Sequence, residues 1–335
     1  MFNVKMAGLA SAFAAAALAA GPVMAQQQRL EIVTLPAGSV AHGAASGIAG
    51  VVSQKTDLRI LAVPFAGPQV VVPQVDAGQS AFTLINVFDT HNAYTGQAPD
   101  YKQAHRNLRL VSVGYENTGA PLVRIADNIT TAADLKGKRA AGVYSAHRTC
   151  NAVATAVLAN MGMSWNDVRT VPVTSVVPGI AALGEGRVDV TPCGALNMGI
   201  IREINVKTPV RFLPIDPSPE AMERAREHFV GMRAKEFKKG VTEGVIEDMH
   251  IFVYDFYMLS HAGLSDEIVY TMVKGIWDNL PEIQKTHGAL RTWQRETMAS
   301  ADVTAPYHDG AVRFFKEAGV WTEEMEAART KLLAN

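Results

Sequence analysis

The feature that most constrains this 335-residue chain is an internal repeat. Two stretches of roughly 55 residues each run in the order strand, small-residue helix, strand, helix, strand. In the first, Leu30 to Leu35 reads as a strand, and Pro36-Ala37-Gly38-Ser39 turns into a helix ending near Lys55. Leu58 to Phe65 is the next strand, Gly67-Pro68 opens a helix that Gly78 closes, and Ala81 to Val87 is the third strand. In the second, strand Arg139 to Tyr144 leads through Ser145-Ala146-His147 into a helix reaching Met161. Strand Val168 to Thr174, a helix closing at Gly186, and strand Val188 to Pro192 complete it. Val63-Pro64 recurs as Val171-Pro172, and Gly78 as Gly186, each 108 residues later. Strands and helices alternating at this rhythm predict parallel sheets joined by right-handed crossovers.

Two such units build either one dinucleotide-binding sheet or two lobes. Neither strand-to-helix turn reads GxGxxG, and Lys136 precedes a strand and follows no phosphate loop, so two lobes fit better. Leu108 to Tyr115 and Pro121 to Ala126 read as two further strands where the chain crosses between lobes. Glu220 to Lys239 reads as a charged, solvated amphipathic helix, and the apolar run His250 to Leu259 returns to the first lobe. The remainder is predicted helical: Asp266 to Asn279 behind an N-cap at Ser265, a restart at Pro281, then Pro306 to Ala318 and Thr322 to Leu333. Lobe one is therefore expected over 26–115 and 255–335, and lobe two over 116–254. Two linking segments make a hinge, and hinges commonly close over a ligand.

The amino terminus carries an export signal. Lys5 precedes the apolar run Ala7 to Ala20, which is too short to span a bilayer, and Val23-Met24-Ala25 supplies small residues for cleavage after Ala25. Loss of Lys5 leaves 30 basic residues of the 31, against 32 acids. No basic stripe interleaved with aromatics appears, so nucleic acid is not an expected partner. The expectation is an exported protein of the periplasm that is not itself embedded in the membrane. The two cysteines form no CxxC and the nine histidines no HxxxH, so neither a metal nor another cofactor is expected.

Several motifs resemble one family. Asp134-Leu135-Lys136-Gly137-Lys138 is common where type II periplasmic binding proteins enter their second lobe. Thr34 to Val52, Asn92-Ala93-Tyr94-Thr95-Gly96, Asn151-Ala152, Gly194-Ala195-Leu196-Asn197, Leu213-Pro214-Ile215-Asp216 and Pro306-Tyr307-His308-Asp309-Gly310-Ala311 follow in the order of the TAXI family, the solute receptors of TRAP transporters. The resemblance implies the two-lobed type II α/β fold, each lobe a mixed, mostly parallel sheet flanked by helices, with a ligand cleft between. It also implies delivery of a carboxylate (a dicarboxylate, 2-oxo acid or acidic amino acid) to the membrane subunits of a sodium-driven transporter. The chain departs from the family at Ser145-Ala146-His147-Arg148, where Gly-Ser-Gly-Thr is usual, and at Gly38-Ser39, where the glycine is usually doubled.

In parallel sheets, ligands sit beyond the carboxyl ends of strands, where helix N-termini point. Helix starts near Ser39, Gly67, Ser145 and Ser175 are the expected anion sites. Arg148 is the sharpest candidate, as an arginine can grip a carboxylate by two parallel hydrogen bonds, and Thr149 stands beside it. His42 and His147 occupy comparable helix starts and are candidate donors whose charge would follow pH. Asn86 and Asn197 match a glutamine and an asparagine of the family and are candidate amide contacts, while Tyr254 and Phe256 lie on the returning segment. If the second unit has the usual doubly wound strand order, Cys150 and Cys193 fall close enough for a disulfide stapling the cleft wall; two free thiols are the alternative. A receptor for an ABC importer is the nearest rival reading. An exported enzyme using Ser39 with His42, or Cys150 with His147, is a further one, weakened by the lack of a GxSxG elbow and of an acid to orient either histidine.

Overall fold

The computed structural model describes Met1, Phe2 and residues 29–97, 101–229 and 231–334. The export signal therefore falls, apart from Met1 and Phe2, outside the described residues. The first unit forms β1 (Arg29–Thr34), α1 (Val40–Lys55), β2 (Arg59–Pro64), α2 (Pro68–Asp76), β3 (Phe82–Asn86) and α3 (Val87–Thr95). After the crossing strand β4 (Leu108–Arg124), the second unit forms β5 (Arg139–Gly142), α4 (Arg148–Asn160), β6 (Arg169–Pro172), α5 (Val176–Gly184), β7 (Val190–Gly194) and α6 (Gly199–Asn205). Then come β8 (Val210–Phe212), α7 (Pro219–Arg226), β9 (Arg233–Phe237) and β10 (Met249–His261). The helices α8 (Asp266–Asp278), α9 (Leu280–Thr286), α10 (Asp309–Glu317) and α11 (Glu323–Ala334) close the chain.

The repeat is visible as pairing. β1 lies parallel between β2 and β3, and β5 lies parallel between β6 and β7. Thr34 stands opposite Pro64, and Gly142 opposite Pro172, so each repeated proline ends an outermost strand, where no ladder donor is missed. Gly78 and Gly186 take φ of 70° and 74° just past α2 and α5, a left-handed conformation that glycine adopts without a Cβ clash. On α1 half of the buried face is alanine (Ala41, Ala44, Ala45 and Ala49), which lets the helix lie close on its sheet.

The two units are joined by β4 and β10. The strand order is β2-β1-β3-β10-β4-β7-β5-β6, with β8 on β4 and β9 on β10. β10 pairs antiparallel with β3 and along β4 from Leu108 to Gly119, whereas Ala120 to Val123 of β4 pair with β7 of the second unit. Both strands thus run out of one half and into the other, giving a two-lobed mixed α/β architecture. Helices α8 and α9 pack beside α1 on the first half, and α10 packs on α8. Among the described residues no helix is long and apolar enough to cross a membrane.

Two sequence expectations change. The strands expected at Leu108 to Tyr115 and Pro121 to Ala126 are one strand of 17 residues. Asn117-Thr118-Gly119 resembles a turn, but the Asn117 side chain donates to the Tyr254 hydroxyl (3.0 Å) and Thr118 Oγ1 accepts from the Leu196 amide (2.7 Å). Tertiary partners satisfy the polar groups that would otherwise favour a turn. The charged stretch is helical only over Pro219–Arg226; Gly231 at φ 88° breaks it, and Arg233–Phe237 forms β9. There Arg233 and Lys235 share one strand face and pair with Glu116 of β4, and Arg233 also with Asp255 of β10.

Candidate functional site

Four helices of eight or more residues aim their N-termini at one cavity between the halves. Ser39, Val40 and Ala41 bring the start of α1, and Asn86 caps α3. His147, Thr149 and Cys150 bring the start of α4, and Val176 that of α5. The floor is Asn117 and Thr118 of β4 with Tyr254 and Phe256 of β10. First-turn amides have no acceptor within their own helix, so each start brings the positive end of its dipole to the cavity and takes its acceptors from caps, from the other half or from an occupant. Ser39 caps α1 by accepting from the His42 amide (3.2 Å), and Asn86 caps α3 by accepting from the Asp89 amide (2.8 Å). Neither α4 nor α5 has a side-chain cap. No residue of the wall is Asp, Glu, Lys or Arg.

The cavity is closed to about 30 Å³, room for roughly two waters. Contacts between the halves seal it. The Arg148 amide donates to Gln69 Oε1 (3.2 Å), the Ile200 amide donates to the Gly38 carbonyl (3.3 Å), and Thr149 Oγ1 donates to Asp89 Oδ2. Gly67, the N-cap of α2, lies so near the second half that a Cβ built on it would stand 1.5 Å from the Ala146 carbonyl oxygen.

Burial sets the charge states. Desolvation lowers the His147 imidazole to about 4, so it is neutral at pH 7, and desolvation lowers His42 as well. Burial pushes the Tyr254 phenol up, and it stays protonated. Asp89, fully buried, lies just behind the wall with its Oδ2 accepting from Asn86 Nδ2 (2.8 Å) and from Thr149.

Of the residues singled out from sequence, Ser39, Asn86, His147, Thr149 and Tyr254 meet at this cavity. Cys150 and Cys193 also line it and are joined in a disulfide with Cα atoms 5.4 Å apart. The other five lie elsewhere. His42 sits on the first turn of α1 with its Nδ1 on Thr34 Oγ1 (3.1 Å), outside the wall. Gly67 makes the seal, and Ser145 is exposed in the turn before α4, which starts at Arg148 behind His147. The Arg148 side chain is exposed and outside the wall. Asn197, at φ 61°, lines a neighbouring pocket of about 150 Å³ with Glu116 and Arg291. Sequence reasoning missed Asn117, Thr118 and Asp89; the pairing of the two crossing strands is the signal that leads to the first two. The nucleophile–base pairs considered from sequence are not assembled. Ser39 meets only the backbone amide of His42, and the sulfur near His147 Nδ1 (3.7 Å) is held in the disulfide.

Comparison with known proteins agrees with this architecture. A solved structure described as a periplasmic transporter is 12% identical over 90% of this chain and 95% of its own, with a TM-score of 0.57. MatC of Rhodopseudomonas palustris, solved with bound malate, is 14% identical over 93% of this chain and 100% of its own, with a TM-score of 0.52. At such identities the likeness is one of fold. The NMT1-like family matches residues 32–319, nearly the whole described chain, and this protein belongs to that family.

Proposed function

We propose that the protein is an exported periplasmic solute receptor whose two lobes, parted near Tyr115 and Tyr254, close over a small organic acid. It hands that acid to the membrane subunits of a TRAP-type secondary transporter, as do the TAXI receptors it resembles. One observation carries the reading: four helix N-termini converge on a cavity whose wall holds no charged side chain. Each start favours an anion by roughly 0.3–1 kcal/mol, and more when partly buried, so several together hold a carboxylate without a metal or a lysine. Arg148, one residue from the wall at the start of α4, is the residue proposed to meet a second carboxylate.

Asp89 sharpens the substrate class. A buried carboxylate behind Asn86 and Thr149 repels a second bare anion on that side and welcomes a donor. Among the carboxylates considered, this favours those bearing a hydroxyl or ammonium beside the acid. Because 30 Å³ admits no such molecule, the lobes part to let it in and the wall widens around it while the rim contacts at Gly67 re-form, so that binding is coupled to the hinge.

A thermal-shift screen with acetate, succinate, L-malate, 2-oxoglutarate and L-glutamate tests the reading. An acid at about 100 times its Kd stabilises the fold by roughly 2.7 kcal/mol, a rise of about 4 °C for a chain of this size. Stabilisation by amines or neutral amides alone would overturn the anion assignment. Uptake in proteoliposomes driven by a sodium gradient tests the transporter type; uptake that instead needs ATP assigns the receptor to an ABC importer.

A further inference from the structure

The turn between β5 and α4 carries much of the closing face of the second half, and its backbone is strained. Val143 at φ 65° and Tyr144 at φ 34° are consecutive non-glycine residues in the left-handed region, which a β-branched side chain rarely enters. Val143 is 50% exposed, so packing of its side chain does not repay that strain. Something else must hold the shape.

Three sets of contacts do so. The Tyr144 ring is fully buried, with its hydroxyl 3.3 Å from Thr191 Oγ1. The Ser145 and Ala146 amides donate to the carbonyls of Val173 and Thr174 (3.2 and 2.9 Å). Asn151 Nδ2 donates to the Val143 carbonyl at 2.6 Å. The first two anchor residues 144–146; Val143 itself is spanned by the Tyr144 amide, which donates to the Gly142 carbonyl (2.8 Å), and its own carbonyl is held by Asn151 from within α4. Immediately downstream stand the Ala146 carbonyl that abuts Gly67, the Arg148 amide that meets Gln69, and the cavity residues His147 and Thr149.

We propose that Asn151 is a positioning residue: by gripping the Val143 carbonyl it keeps a strained turn in the shape that lets the two halves close, without itself lining the cavity. This rests on the reading of the cavity as the ligand site. Relaxation of Val143 toward an ordinary backbone region would move the Ala146 carbonyl and the start of α4 away from their partners on the first half.

The test is a rescue. Alanine at position 151 favours the helix, so Asn151→Ala folds, and it removes only the side-chain bond. It weakens binding of L-malate or L-glutamate, whichever the wild type binds more tightly, by roughly three- to tenfold, the worth of one hydrogen bond. Val143→Gly alone leaves affinity within about twofold, since glycine occupies the left-handed region freely. Val143→Gly combined with Asn151→Ala recovers wild-type affinity, which a merely structural role for Asn151 would not allow. Hydrogen exchange of residues 143–150 gives a readout free of ligand: faster in Asn151→Ala, restored in the double variant. Wild-type affinity and exchange in Asn151→Ala, or a double variant as defective as the single, would overturn the proposal. If neither acid binds the wild type, the preference for an acid bearing a hydroxyl or ammonium fails, and the exchange comparison still decides the role of Asn151.

Discussion

Gly67→Ala isolates lobe closure from folding. The backbone at Gly67 has φ 175°, extended and open to any residue, so alanine costs nothing locally. Its Cβ would nevertheless stand 1.5 Å from the Ala146 carbonyl oxygen, where real Cβ contacts are essentially never below 3.0 Å. The halves must therefore part by about 1.5 Å or more at this point. That stretches the adjoining Arg148-to-Gln69 bond, now 3.2 Å, beyond hydrogen-bonding range and loosens the Thr149-to-Asp89 bond beside it. Two hydrogen bonds at a net of about 1 kcal/mol each make roughly 2 kcal/mol, or about 30-fold in Kd. Isothermal titration with L-malate or L-glutamate measures the loss, and solution scattering of the liganded protein reports a larger radius of gyration. The ligand-free melting temperature should stay within roughly 2 °C of wild type, since the clash is relieved by hinge motion. A Gly67→Ala protein that binds within threefold of wild type would refute the claim that this contact seals the cleft.

Other consequences arise at the same site. Burial lowers His147 from 6.5 to about 4, so in that interval the unfolded chain binds a proton that the folded chain does not. Its contribution is full above pH 6.5 and lost as pH falls toward 4, roughly 3 kcal/mol in all, and urea titrations across that range should show a slope that His147→Gln flattens. An unchanged slope in the variant would contradict the assignment. Replacing both Cys150 and Cys193 by serine opens a loop of 43 residues and should cost about 4 kcal/mol in denaturant unfolding. The same variant frees the first turn of α4 from β7 and should weaken acid binding; a loss under about 1 kcal/mol with unaltered affinity would show that the bond is incidental.

The fold was legible because its repeat is written in residues with fixed backbone meanings. Gly78 and Gly186 end helices in left-handed geometry, and Pro64 and Pro172 end outermost strands, so the 108-residue offset marks equivalent places in two like units. Less legible was whatever depends on tertiary partners. Asn117-Thr118-Gly119 has the chemistry of a turn until Tyr254 and the Leu196 amide satisfy it, and only then does β4 run unbroken. Arg233 and Lys235 fall in a stretch that reads as a charged helix, on which they would point to opposite sides, yet two carboxylates on the crossing strands, Glu116 and Asp255, hold them on one face of a strand. At the site, helix starts pointed to Ser39 and, through the turn at Ser145, to His147 and Thr149, because an N-terminus beyond a parallel strand has a predictable position, whereas Asn86 came from its match to a family glutamine. Arg148 illustrates the limit of that logic. One residue along a helix turns a side chain by about 100°, and a shift of the helix start decides whether Arg148 or Thr149 faces the cavity.

The most direct test of the account compares, by isothermal titration, the tightest-binding acid of the five-member panel with its neutral primary amide. Helix N-termini that hold a carboxylate predict one site per chain for the acid and at least tenfold weaker binding of the amide, which has the same shape without the charge. An amide that binds as tightly as the acid would contradict it, and would mean that shape alone is read by a cavity that the four helix starts merely surround.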